Sequence, residues 1–185
     1  MLVEACRRGA DWNRTHPGLA VSVNLSARQL ESDELIDEVR MALDASGLEP
    51  SLLTLEITES ALMRDGPAAR ARLGDLKALG IRVAVDDFGT GYSSFAYLQQ
   101  FPVDALKIDR SFIKDVATRS DATALVRTLI QLGKGLNLET LAEGIETRAQ
   151  LSTLQLEQCD KGQGFLFSRP VDAMAIDQFI GAVQQ

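Results

Sequence analysis

This 185-residue sequence predicts an α/β fold of parallel strand–helix units, and three features predict it. Short apolar runs alternate with amphipathic stretches. The alternation recurs every roughly 20 to 35 residues, the length of a βα unit with its crossover. A polar group, most often an acid, stands near the point where each run stops.

Six runs read as strands, at residues 19–25, 52–57, 81–85, 105–108, 138–142 and 164–167. Helical spacing lies between them. A helix at 2–12 opens the chain with no strand before it. Leu35, Val39 and Leu43 share one face of a second helix that stops at Gly47, and Ala69, Leu73 and Leu76 mark another that stops at Gly80. Leu125, Leu129, Leu132 and Leu136 form the apolar stripe of a fourth. Thr147 and Gln150 read as a capping box opening a fifth, with Leu151 and Leu154 on its buried face. Two architectures fit this alternation, an open doubly wound sheet and a closed (β/α)₈ barrel. No glycine-rich fingerprint follows the first run, which weakens the dinucleotide-binding version of the open sheet. Six strands are too few for a barrel, yet a barrel without its first strands would open on a helix in this way.

Composition narrows the function classes. Apolar residues make up 45% and charged residues 24%, the balance of one globular domain spanning 1–185. No apolar run reaches the roughly 18 residues of a membrane span, and the N-terminus predicts no signal peptide. Cys6 and Cys159 read as reduced thiols of a cytoplasmic protein. The formal charge is −7 and the basic residues are scattered, which argues against a DNA or RNA duplex as partner and against membrane contact. The single histidine, His16, excludes a His-based zinc site and a Ser-His-Asp triad.

The strand ends carry the chemistry. Asn24 ends the first, Glu56 the second and Asp86-Asp87 the third. Lys107 and Asp109 flank the end of the fourth, Glu143 closes the fifth, and Gln163 stands at the start of the sixth. Active sites of barrels and open parallel sheets are built at the carboxyl ends of strands. Gathered carboxylates repel one another unless a cation sits among them. Oxygen donors without histidine or cysteine suit Mg²⁺ or Mn²⁺, and adjacent aspartates can serve two ions. Such a rim fits phosphodiester cleavage. Lys107 could form a Schiff base, as in barrel aldolases, but nearby carboxylates would raise its pKa and favour a charged lysine that steadies a phosphate. The stretch Phe88-Gly-Thr-Gly-Tyr-Ser-Ser94 places two glycines beside this rim, where backbone can approach a ligand.

Six segments resemble the motifs of the EAL domain family, in its order and near its spacing. They are Val23-Asn-Leu-Ser26, Leu55-Glu-Ile-Thr-Glu59, Asp86 to Ser94, Lys107-Ile-Asp109, Ala142-Glu-Gly-Ile-Glu146 and Gln163 to Pro170. The resemblance implies a TIM-type barrel that hydrolyses cyclic di-GMP to linear pGpG with Mg²⁺ or Mn²⁺, two ions in all. It implies Asn24, Glu56 and Asp86 as metal ligands and Asp87 as ligand to the second metal. Glu143 would lie near the metals and the attacking water, and Lys107 would contact that water or the phosphate. Glu59 would brace the loop after the aspartate pair. Asp109, Glu146 and Gln163 would line the site, with Arg169 and Pro170 nearer the guanine. It also implies a homodimer formed through the region after the aspartate pair, and a sensory or cyclase domain in a longer parent protein.

The sequence departs from the family at its start. The family's Glu-Ala-Leu motif, on the first barrel strand, supplies a metal-ligating glutamate and a nearby phosphate-binding arginine, and the first two strands are not found here. Glu4-Ala5-Cys6 lies on a helix and is not that motif. The expectation is therefore a single domain incomplete at its N-terminus, with six of eight units, self-associating across the open side. Phe165 stands where tyrosine is common. The competing expectation is a catalytically impaired domain that serves as a cyclic di-GMP receptor or protein-interaction module.

Overall fold

The structure, a computed structural model, describes residues 1–64, 66–91 and 98–182. Helix α1 (Leu2–Thr15) precedes strand β1 (Val21–Asn24), and helices α2 (Ala27–Leu30) and α3 (Leu35–Ser46) lead to β2 (Leu53–Thr58). Helices α4 (Glu59–Arg64) and α5 (Gly66–Ala78) lead to β3 (Arg82–Phe88), followed by β4 (Ala105–Ile108). Helices α6 (Arg110–Ile113) and α7 (Ser120–Gly135) precede β5 (Glu139–Ala142). Helix α8 (Arg148–Leu156), β6 (Lys161–Gly162) and α9 (Ala173–Ala182) complete the order.

The six strands pair in parallel in the spatial order β1-β2-β3-β4-β5-β6. That sequential order decides between the two architectures. A doubly wound sheet reverses direction at a switch point, whereas a barrel adds each strand beside the last. The sheet is a half-barrel, TIM-barrel-like in winding.

The outward face of the arc makes the core. Leu53, Leu55 and Ile57 of β2, Val83 and Val85 of β3, and Leu106 and Ile108 of β4 are buried. Against them pack Val39 and Leu43 of α3, Leu73 and Leu76 of α5, and Val126 and Ile130 of α7. Each such side chain contributes on the order of 1.5–3 kcal/mol by leaving water. In β2 buried and half-exposed residues alternate, so Thr54, Glu56 and Thr58 face the concave side. The capping box at Thr147 and Gln150 is present. Among the described residues no helix is long and apolar enough to cross a membrane.

Three expectations need correction. Helix α1 runs to Thr15 rather than to residue 12. The buried stripe of α7 is Val126, Leu129, Ile130 and Gly133, while Leu125 is 44% exposed, because the apolar run offers two adjoining faces. The last strand is Lys161–Gly162 rather than 164–167. Residues 165–167 form turns, with Phe167 and Ser168 donating to the carbonyl of Gly164. Phe165 and Phe167 are about half exposed there, so the apolar spacing reflected a surface segment and not a buried strand.

Candidate active site

Parallel register brings the strand-end residues together. Asn24 sits beside Glu56, and Thr58 beside Asp86. Lys107 follows Ala105, which pairs with Ala84 on the same concave face. Three carboxylates converge on the Lys107 ammonium: Glu56 at 2.5 Å, Glu143 at 2.6 Å and Asp86 at 2.9 Å. The lysine is almost wholly buried, at 4% exposure. Asp87 completes the rim, since ligand-type oxygens of Asp86, Asp87 and Glu143 all lie within 4.8 Å of one another.

Two successive residues of a regular strand point to opposite faces. Asp86 and Asp87 escape this rule through an irregularity in β3. Val85 pairs with Leu106 and Phe88 with Ile108, so β3 spends one residue more than β4 between those pairs. The extra residue is accommodated at Asp87, whose φ of 53° lies in the left-handed region that aspartate tolerates better than most side chains. The bulge presents both carboxylates to the rim.

The electrostatics follow from this crowding. Burial works against the charge of Lys107, but hydrogen bonds to Glu143, Glu56 and Asp86 outweigh it and hold the ammonium well above the ordinary lysine range. Burial pushes the Glu143 carboxyl up; Lys107 opposes that, while Asp86 and Glu56 add to it. Burial also raises Asp87, assisted by Asp86 and Asp109. One ammonium thus faces four carboxylates, an arrangement that a hard divalent cation would relieve. The donor set is oxygen only and the spacing suits shared ligation, so the residues fit a hard divalent cation.

The surrounding residues divide into braces and more distant positions. Glu59 is buried and accepts a hydrogen bond from the Gly89 amide at 2.9 Å. A side chain on Gly91 would place its Cβ 2.6 Å from a Glu59 oxygen, so the loop after the bulge closes directly over this carboxylate. Asp109 caps α6 by accepting from the Ser111 amide and hydroxyl. Burial would raise its pKa, but these bonds prevail and lower it. Glu146 is exposed and lines a cavity with Arg110, Ser111, Lys114, Gly144 and Gln150. Gln163 follows β6, and its backbone bonds Ala142 and Ile145. The Arg169 guanidinium lies 4.7 Å from the centre of the Phe165 ring, and Pro170 is exposed. Asn24 is exposed at the end of β1. Tyr92, Ser93 and Ser94 of the glycine loop lie outside the described residues. Sequence reasoning missed Ser111, which holds Asp109 in place, and Phe112, whose ring leaves no room for a Cβ at Gly89; the Asp-x-Ser spacing was the available signal for the first.

The family model of the EAL domain matches residues 1–170. The chain belongs to the EAL domain family. The bifunctional diguanylate cyclase/cyclic di-GMP phosphodiesterase MucR of Pseudomonas aeruginosa is 47% identical over 174 residues, covering 94% of this chain and 25% of that protein. The cyclic di-GMP phosphodiesterase NbdA of the same organism is 44% identical over 167 residues, 90% of this chain and 21% of that one. This EAL chain thus spans about a quarter of the length of the curated relatives it matches. The solved MucR phosphodiesterase in complex with c-di-GMP superposes with a TM-score of 0.90 at 46% identity, covering 95% of this chain and 71% of that one. The EAL domain of Mycobacterium smegmatis DcpA gives 0.92 at 34% identity, covering 98% and 82%.

Proposed function

We propose that this EAL domain hydrolyses cyclic di-GMP to linear pGpG. The observation that carries the reading is the convergence of Glu56, Asp86 and Glu143 on buried Lys107, with Asp87 beside them, in a chain whose relatives MucR and NbdA are named for this activity. Asn24, Glu56 and Asp86 would hold one divalent ion, Mg²⁺ or Mn²⁺, and Asp87 with Asp86 a second. When bound, such ions polarise the phosphate and make water nucleophilic at neutral pH.

The protein's own groups supply the rest. Glu143, whose carboxyl is pushed up by burial, is suited to take a proton from the attacking water. The Lys107 ammonium is held charged and fixed, so it can stabilise negative charge building on the phosphate oxygens without reorganising. Glu59 fixes the loop that follows Asp87, which keeps the bulge in register. Asp109, Glu146 and Gln163 would line the approach to the rim, and Arg169 stacked on Phe165, next to Pro170, would offer a planar surface for guanine.

Length, family membership and chemistry support three further readings. The relatives are several times longer, so this domain works within a multidomain signalling protein carrying sensory or cyclase modules. Membership of the EAL family implies that two copies would associate through the region after the aspartate pair. The free thiols Cys6 and Cys159 suit the reducing cytoplasm.

Incubation with cyclic di-GMP and Mn²⁺, followed by chromatography, should yield pGpG. Glu143→Gln and Asp86→Asn should each lower turnover by about 10² or more while leaving the fold intact. Tight binding of cyclic di-GMP by the native chain with no product would replace the enzyme reading with that of a receptor.

A further inference from the structure

We infer that Lys107 is the rim's resident counter-cation in the metal-free protein, and that a divalent ion and this lysine compete for the same carboxylates. The inference rests on the proposed function only in taking the rim as a divalent-metal site. Among the described residues, Lys107 is the sole side-chain cation that pairs with Glu56, Asp86 or Glu143. Its side chain is 5% exposed, so water screens the group little. Carboxylates largely withdrawn from water are destabilising without a partner, and one ammonium here touches three that are only 11–19% exposed.

The competition follows from shared atoms. Asp86 and Glu143 belong both to the lysine's contacts and to the trio whose oxygens lie within 4.8 Å of one another. An ion held by the proposed ligands Asn24, Glu56 and Asp86 takes up two of the three carboxylates that compensate Lys107, one held by Asp86 and Asp87 takes up one, and either stands close enough to repel the lysine. The lysine therefore has two effects of opposite sign. It holds the carboxylates together when no metal is bound, and it weakens metal binding. A rim built in this way is preformed before metal arrives, at some cost in affinity.

Removing the charge while keeping the bulk separates this role from simple packing. Lys107→Met should melt roughly 5 °C or more below the native chain in EDTA. Saturating Mn²⁺ should raise its melting temperature by more than it raises that of the native chain. Mn²⁺ titrated without nucleotide, followed by electron paramagnetic resonance, should bind the variant about tenfold tighter or better. A variant that folds only with Mn²⁺ would support the competition still more strongly. Equal gains from Mn²⁺ in the two chains, or weaker Mn²⁺ binding by the variant, would overturn the inference and leave Lys107 as packing. So would failure of both Lys107→Met and Lys107→Gln to fold in millimolar Mn²⁺, since the ion would then not replace the lysine. No substrate enters these measurements. A native chain that binds Mn²⁺ without producing pGpG would thus sink the enzyme reading and spare this one.

Discussion

At the residue scale the site depends on a few buried polar atoms whose partners are fixed. Glu59 is 4% exposed, far from common for a glutamate, and it receives the Gly89 amide at 2.9 Å. Glu59→Ala strips a part-buried N–H of its acceptor and opens space under Gly91, and should cost about 1–3 kcal/mol in urea denaturation. Glu59→Gln keeps an acceptor oxygen and should cost less. Turnover to pGpG should fall in the same order, since the loop positions Asp87. Equal stability of the alanine variant and the native chain would show that the carboxylate does not hold the loop. Lys107 illustrates how far a residue could be read from sequence. Its position among strand-end acids already implied a raised pKa, and the structure bears this out with three carboxylates in contact. The identity of those three, and the exclusion of Asp87 from the lysine's ion pairs, needed coordinates.

At the element scale the decisive feature is the bulge in β3, because it converts adjacent aspartates into neighbours on one rim. Its C-terminal anchor is Gly89, at φ +97°, where a Cβ would lie 2.8 Å from the Phe112 ring. Gly89→Ala meets both obstacles and should destabilise the chain by about 1–3 kcal/mol. Phe112→Leu in the same chain should recover only part of that, because it relieves the clash and leaves the backbone conformation strained. A native melting temperature in Gly89→Ala would contradict this account. The bulge was not legible in the sequence, since adjacent aspartates at a strand end do not show that the backbone turns both towards one face. The strands themselves were legible, because β2, β3 and β4 are buried apolar runs with clear ends. The Thr147 capping box was legible for the same local reason: both partners lie within one helical turn. Residues 164–167 misled because alternating phenylalanines normally mark a buried face, and here they stay at the surface around Gly164.

On the scale of the whole molecule, the two ends of the half-barrel handle charge in opposite ways. At the carboxyl end, burial and like-charged neighbours raise Asp87 and Glu143. At the amino end, ion pairs dominate: Arg82 and Lys161 meet Glu139 at 2.6 and 2.9 Å, and Lys77 meets Asp104 at 2.7 Å. Burial would raise Glu139, but Lys161 and Arg82 prevail and lower it, while the Thr140 amide and hydroxyl likewise lower Asp160 against its burial. Barrel folds commonly keep function at one end and stability at the other, and this charge division is its electrostatic form. The sign of the pH effect follows. Depressed carboxyls contribute stability that is present above their unfolded values, here 4.5 for Glu139 and 3.8 for Asp160, and lost as pH falls through their lower folded values. Glu139→Gln should therefore destabilise the chain at pH 7 by about 1 kcal/mol and reduce the loss on acidification. Asp87→Asn should do the reverse in EDTA, stabilising the chain by up to about 1 kcal/mol, because it removes a repelled charge and asparagine accepts a left-handed backbone. With Mn²⁺ present that advantage should shrink, since the carboxylate then gains a cation. Chemical denaturation of both variants, with EDTA and with Mn²⁺, reads all of these differences. If Asp87→Asn destabilises the metal-free chain, the carboxyl end does not hold the strain assigned to it.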